Sequence, residues 1–119
     1  MSGAGPGRLG RRFYVVLAEP TDRAGARHAA TADHLAYLRG LQERGQLFLA
    51  GPFVGEDGAS TGGGLFVLRA GSLAEAEALA AADPYNAGGY RRFTVRPWRL
   101  DQGGFDLGVS LTDGKMTFV

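Results

Sequence analysis

Two segments of this chain are apolar on both sides of what reads as an extended strand, and this constrains the fold more than any other feature. Phe13-Tyr14-Val15-Val16-Leu17-Ala18 and Leu65-Phe66-Val67-Leu68 carry no charged residue. Their β-branched and aromatic content favours strand over helix. A strand with one face in water alternates apolar and polar positions, and these two do not. The sheet they enter must therefore be covered on both faces.

The rest of the chain supplies cover for one face only. Pro20 ends the first strand, and a helical pattern with an ambiguous start near Thr21 or Asp22 runs to about Arg44. Ala30, His34, Leu38 and Leu41 fall on one stripe of it, with Leu35 beside them, and Gly45 is its C-terminal cap. Leu47-Phe48-Leu49-Ala50 reads as a second strand stopped by Gly51-Pro52, and Gly55 to Gly64 as a flexible polar loop leading to the third strand. Ser72 and Glu75 have capping-box spacing and open a second helix with Leu73, Ala76, Leu79 and Ala80 on one stripe. Pro84 disfavours helical geometry at Asp83 and ends that helix. Tyr90 to Val95 alternates, Arg92 and Thr94 against Phe93 and Val95, which is a fourth strand, suited to an edge and limited by Pro97.

The order β-α-β-β-α-β is the ferredoxin-like arrangement of the α+β class. Its two helices cover one sheet face, and soluble monomers avoid leaving a large apolar face open. A homodimer packed face to face is the expected solution. Residues 1–11 read as a Gly-rich disordered leader, 12–100 as the domain, and 101–119 as an appended β-hairpin. In the last segment Phe105, Leu107, Val109 and Leu111 alternate with Asp106, Gly108 and Ser110, Asp113-Gly114 is the turn, and Met116 and Phe118 follow. An isolated hairpin is marginal, so this one is expected to pack on its own domain or on another subunit.

Composition excludes several function classes. Lys+Arg (13) and Asp+Glu (12) nearly cancel, so no broad field points to nucleic acid or an anionic membrane. The third strand, Gly64-Leu65-Phe66-Val67-Leu68-Arg69, lacks the basic aromatic pattern of RNA-recognition modules that share this element order. No apolar run approaches the roughly 18–20 residues that span a bilayer, and the N-terminus shows no long apolar secretion segment. The absence of cysteine removes disulfides, thiolate nucleophiles and thiolate metal sites, and fits a cytoplasmic setting. His28 and His34 are six residues apart, about 240° around a helix, and cannot form an i,i+4 metal pair. His28 is expected in solvent. Neither histidine has an evident haem-ligand setting, and no metal or cofactor is expected.

His34 and Asp83 stand out as polar residues in apolar surroundings: Ala32-Asp33-His34-Leu35-Ala36 and Ala81-Ala82-Asp83-Pro84-Tyr85. A plain reading makes His34 a core-boundary histidine and Asp83 a helix-ending residue bonded to local amides. The functional reading pairs them. An imidazole titrates near neutrality, and a carboxylate on one ring nitrogen fixes its tautomer and stabilises its charged form. An unpaired carboxylate near a helix C-terminus opposes the macrodipole, which favours a partner for Asp83. Gly62-Gly63-Gly64 leads into a strand, not the helix that a phosphate-cradling loop requires, and Ser60 and Thr61 read as loop residues. Arg91, Arg92, Arg96 and Arg99 form a basic cluster that either protects an edge strand or binds an anionic group. Tyr37, Tyr85, Tyr90 and Trp98 either pack in the core or line a pocket.

The chain resembles the YCII (YciI-like) family. The resemblance is carried by His34-Leu35-Ala36-Tyr37-Leu38, by Gly45-Gln46-Leu47-Phe48-Leu49-Ala50-Gly51-Pro52-Phe53, by Ala74-Glu75-Ala76-Glu77-Ala78 with Ala82-Asp83-Pro84-Tyr85, and by Val95-Arg96-Pro97-Trp98. It covers roughly residues 12–99; the 55–64 loop and the 101–119 extension depart from the pattern. The resemblance implies a dimeric α+β barrel, and a pocket where the family histidine and aspartate, here His34 and Asp83, meet beside the Gly-Pro at Gly51 and Pro52. Most members have no assigned reaction; one removes chloride from a chlorinated hydroxyhydroquinone without a cofactor. The expectation is a cofactor-independent acid–base enzyme, a lyase or isomerase acting on a small cyclic or phenolic compound. His34 would shuttle the proton, Asp83 would orient it, and Gly51, Pro52, Tyr37, Tyr85 and Arg92 would bind substrate. The alternative is a non-catalytic small-molecule-binding or accessory dimeric module, which the appended hairpin suggests.

Overall fold

The computed structural model describes residues 10–118. They divide into two compact units, one of Arg12–Arg99 and one of residues 10–11 together with 100–118. In the first, β1 (Arg11–Pro20), β2 (Leu47–Val54), β3 (Ser60–Leu68) and β4 (Arg91–Leu100) form one sheet in the order β2-β3-β1-β4. A 3-10 segment (Ala24–Ala30) and helix α1 (Thr31–Glu43) join β1 to β2; helices α2 (Leu73–Ala81) and α3 (Pro84–Ala87) join β3 to β4. This is the ferredoxin-like α+β fold. Of the expected leader, residues 1–9 lie outside the described residues, and Arg11 already belongs to β1.

The two-faced strands occupy the centre of the sheet. β1 and β3 run antiparallel with Tyr14 opposite Leu68 and Val16 opposite Phe66, which sends these four to the helix side. There they join Leu41 of α1 and Ala76 and Ala80 of α2 in the core. The α2 side chains in the core are small, and both are fully buried. The intervening pairs, Val15 with Val67 and Leu17 with Leu65, necessarily turn to the other face. Together with Trp98 they line an apolar groove of about 390 Å³. Ser72 caps α2 as expected, accepting from the Glu75 amide at 3.1 Å. The Glu75 carboxylate turns back to the Gly71 amide at 2.8 Å, one residue earlier than the reciprocal box requires.

Several boundaries differ from the sequence reading. The helical pattern after Pro20 splits into the 3-10 segment and α1, so the α-helix begins at Thr31. Gly51-Pro52 does not stop β2, which continues to Val54. β2 is an edge strand, where a proline costs no ladder hydrogen bond. For the same reason Pro97 sits inside β4, the other edge, which runs on to Leu100. The expected loop from Gly55 to Gly64 is shorter, because Ser60 to Gly64 are already strand. The glycines there answer to close packing of backbones. A Cβ on Gly63 would lie 2.5 Å from the Ala18 carbonyl oxygen, and one on Gly64 would lie 2.9 Å from that of Gly51.

The second unit holds the hairpin, β5 (Leu107–Val109) paired antiparallel with β6 (Met116–Phe118). Asp113 accepts from the Lys115 amide at 3.1 Å in the connecting turn, and Phe105 meets Phe118 edge to face.

Candidate active site

His34 lies in the first turn of α1 on the stripe that also buries Leu41. Asp83 reaches it from the junction of α2 and α3. Proline at position 84 keeps Asp83 out of helical geometry, with ψ at 126°. Asp83 therefore does not close α2; it becomes the N-cap of α3, with Pro84 in the first helical position where the missing amide costs nothing. Contrary to the expectation of an opposed macrodipole, the carboxylate sits at the favourable end of a short helix.

One oxygen of Asp83 serves two donors. Oδ1 accepts from the Tyr85 amide at 3.0 Å and lies 2.7 Å from Nδ1 of His34. Asp83 is fully buried and His34 is 8% exposed, so the contact is screened from water. A carboxylate only accepts, so Nδ1 carries the shared proton, and in the neutral imidazole the lone pair lies on Nε2. Nε2 has no hydrogen-bond partner among the described residues. The imidazole is held flat against the Tyr85 ring, with centroids 3.9 Å apart and planes 16° apart. The Tyr85 hydroxyl is itself fixed 2.7 Å from Thr31 Oγ1. Three contacts thus determine where the ring points.

His34 and Tyr85 form one wall of an open cavity of about 350 Å³. Gly51 and Pro52 of β2, with Gly64 and Phe66 of β3, line it on the sheet side. A bulge positions that side. β2 pairs Leu47 with Leu68 but Leu49 with Val67, an irregularity that leaves Ala50 opposite Phe66 and Pro52 opposite Gly64.

The structure brings together His34, Asp83, Tyr85, Gly51 and Pro52. It does not bring Tyr37 or Arg92 to the cavity. Tyr37 instead donates its hydroxyl to the Leu79 carbonyl at 2.8 Å, tying α1 to α2. Burial pushes its phenol pKa up, which Asp83 reinforces and Arg44 opposes, so it remains a donor. Arg92 is exposed and pairs with Glu19 at 3.2 Å. Its neighbour Arg91 is the strand-four arginine that lines the cavity, with Arg27 of the 3-10 segment. The alternation of β4 contained the signal: Arg91 is in phase with Phe93 and Val95, which pack on the core, and Arg92 is in phase with Thr94. Trp98 lies on the other sheet face, Tyr90 packs under Arg23, and His28 is in solvent. No cluster of metal-ligating side chains occurs among the described residues. None of their helices is long and apolar enough to cross a membrane.

Residues 12–99 match the model of the YCII-related domain. The chain belongs to this family. Among YCII relatives, uncharacterized protein YjpA of Bacillus subtilis is 33% identical over 87 residues, covering 73% of this chain and 94% of its own length. Protein YciI of Escherichia coli is 34% identical over 94 residues, covering 73% and 96%. Among solved structures, 5-chloro-2-hydroxyhydroquinone dehydrochlorinase (TftG) of Burkholderia phenoliruptrix, in complex with 2,5-dihydroxybenzoquinone, superposes with a TM-score of 0.61 at 22% identity. The match spans 72% of this chain and 92% of that one, and shows that the two share a fold.

Proposed function

We propose that this protein is a cofactor-independent acid–base enzyme, a lyase or isomerase acting on a small cyclic or phenolic compound in the cytoplasm. The observation that carries the reading is the 2.7 Å contact between His34 Nδ1 and the fully buried Asp83, which leaves Nε2 as a base beside a ligand-sized cavity. Nε2 takes a proton from substrate, and the imidazolium that forms is stabilised by the carboxylate behind it. Returning that proton to another atom of the substrate is isomerisation; losing a leaving group instead is elimination. The structural likeness to a dehydrochlorinase supports this class of chemistry. A small cavity lined by Leu35, Leu38 and Phe66 suits an unsaturated ring or short carbon skeleton.

The test is solvent exchange. Phenolic and cyclic keto compounds incubated with the protein in heavy water are expected to take up deuterium or eliminate a leaving group, as read by NMR. A broad panel that shows neither with the wild-type protein would remove the reading.

The working unit is a homodimer formed through the open sheet face. Val15, Leu17 and Leu65 are only half-buried there although they lie in the centre of the sheet, and a second copy is the simplest cover. Sedimentation should give twice the 12.5 kDa of one chain, and Leu17→Glu should yield a monomer. A wild-type monomer contradicts this arrangement.

A further inference from the structure

Two guanidinium groups line the cavity without a carboxylate in ion-pair contact. Arg91 is only 9% exposed. Its Nε donates to the Gly62 carbonyl at 2.8 Å, and its Cζ lies 4.6 Å from the centre of the Tyr85 ring. Arg27, half-buried, donates Nη1 to the Ala24 carbonyl at 3.1 Å. Among the described residues neither forms an ion pair. Both lie over the glycines that open β3: a Cβ on Gly64 would lie 3.4 Å from Nη1 of Arg91, and one on Gly62 would lie 3.8 Å from Nη1 of Arg27. The missing side chains keep that floor open to both arginines. Burial pulls the Arg91 pKa down, and Arg27 acts in the same direction against Asp83 and Tyr85.

A buried cation whose nearest carboxylate, Asp83, is already engaged by His34 and the Tyr85 amide gains from a further anion in contact. Structural duty for Arg91 uses only Nε and the flat face of the group, and leaves its terminal nitrogens for the cavity. A planar fork of donors matches a carboxylate or a similar oxyanion better than any neutral group. Tyr85 touches both the His34 imidazole and the Arg91 guanidinium, so the two sit within one aromatic ring of each other.

We infer that Arg91, assisted by Arg27, anchors an oxyanion of the substrate, and that the substrate is a small organic acid whose unsaturated body lies along Leu35, Leu38 and Phe66 with a carbon atom presented to His34. This rests on the acid–base reading for the role of His34, but not for the anchoring itself. The ligand class follows from the mixture of linings: two cations at one end, apolar side chains at the other.

Binding of benzoate, cyclohexanecarboxylate, benzamide and inorganic phosphate to the full chain, measured by calorimetry and by NMR, tests it. Benzoate is expected to bind saturably, and benzamide, its neutral counterpart, about tenfold to hundredfold more weakly. Arg91→Gln should weaken benzoate by a similar factor and Arg27→Gln by less. If Arg91→Gln does not fold, Arg91→Lys and Arg27→Gln still report, because each weakens the oxyanion grip while leaving the apolar end intact. Equal binding of benzoate and benzamide overturns the inference, as does benzoate affinity unchanged across the arginine variants. Phosphate binding as tightly as benzoate overturns the organic-acid part. Failure of the anchor with solvent exchange still present leaves the acid–base reading standing; a working anchor with no exchange on any acid does the reverse.

Discussion

Asp83→Ala is expected to destabilise the domain by about 2–4 kcal/mol, a large fraction of the stability of an ordinary domain. Two buried donors lose their acceptor at once, Nδ1–H of His34 and the Tyr85 amide. Each orphaned donor costs about 1–3 kcal/mol, and the loss of the cap of α3 is included in the second. Relief from burying a carboxylate offsets part of this, since Oδ2 accepts no hydrogen bond from the described residues. Asp83→Asn retains an acceptor at Oδ1, so it should cost distinctly less while removing the charge that stabilises an imidazolium. Urea unfolding of the three proteins decides the matter. An alanine variant as stable as wild type would mean that the pair is not the structural keystone of the α1–α3 contact.

His34→Ala is expected to slow turnover by about 10²–10⁴-fold, the usual worth of a positioned acid–base group. The fold should survive. His34 lies at the margin of the core, whereas Leu41 on the same stripe is fully buried. The two variants should also differ in kind. Without His34 no base remains at the Tyr85 wall; with Asp83→Asn a base remains but its charged form is unsupported. The asparagine variant should therefore retain measurable turnover with a shifted pH profile, and the alanine variant should not. Equal rates for His34→Ala and wild type on a compound that the wild type converts would falsify the mechanism.

The site was partly legible. His34 was visible as a polar interruption of an apolar helical stripe, and Asp83 as a carboxylate pinned by a following proline. Both signals are local, set by helical periodicity and by the proline ring. Arg91, not the expected Arg92, lines the cavity. Both belong to an alternating strand, and only the phase with Phe93 and Val95 separates the inward arginine from the outward one. The glycines at 62–64 look like loop in the sequence, because three glycines in a row carry no strand propensity of their own. Their strand state comes from partners on either side, whose backbones leave no room for a Cβ.

Determined by the sequence alone were the order of elements, the Ser72 cap, and the presence of two strands that demand cover on both faces, because these follow from side-chain chemistry repeating at fixed local periods. Tertiary structure alone decided the bulge that brings Gly51 and Pro52 to the cavity, the continuation of both edge strands through proline, and the meeting of Asp83 with His34, 49 residues away. Each depends on hydrogen bonds and close approaches between residues far apart in the chain, and no local pattern encodes those.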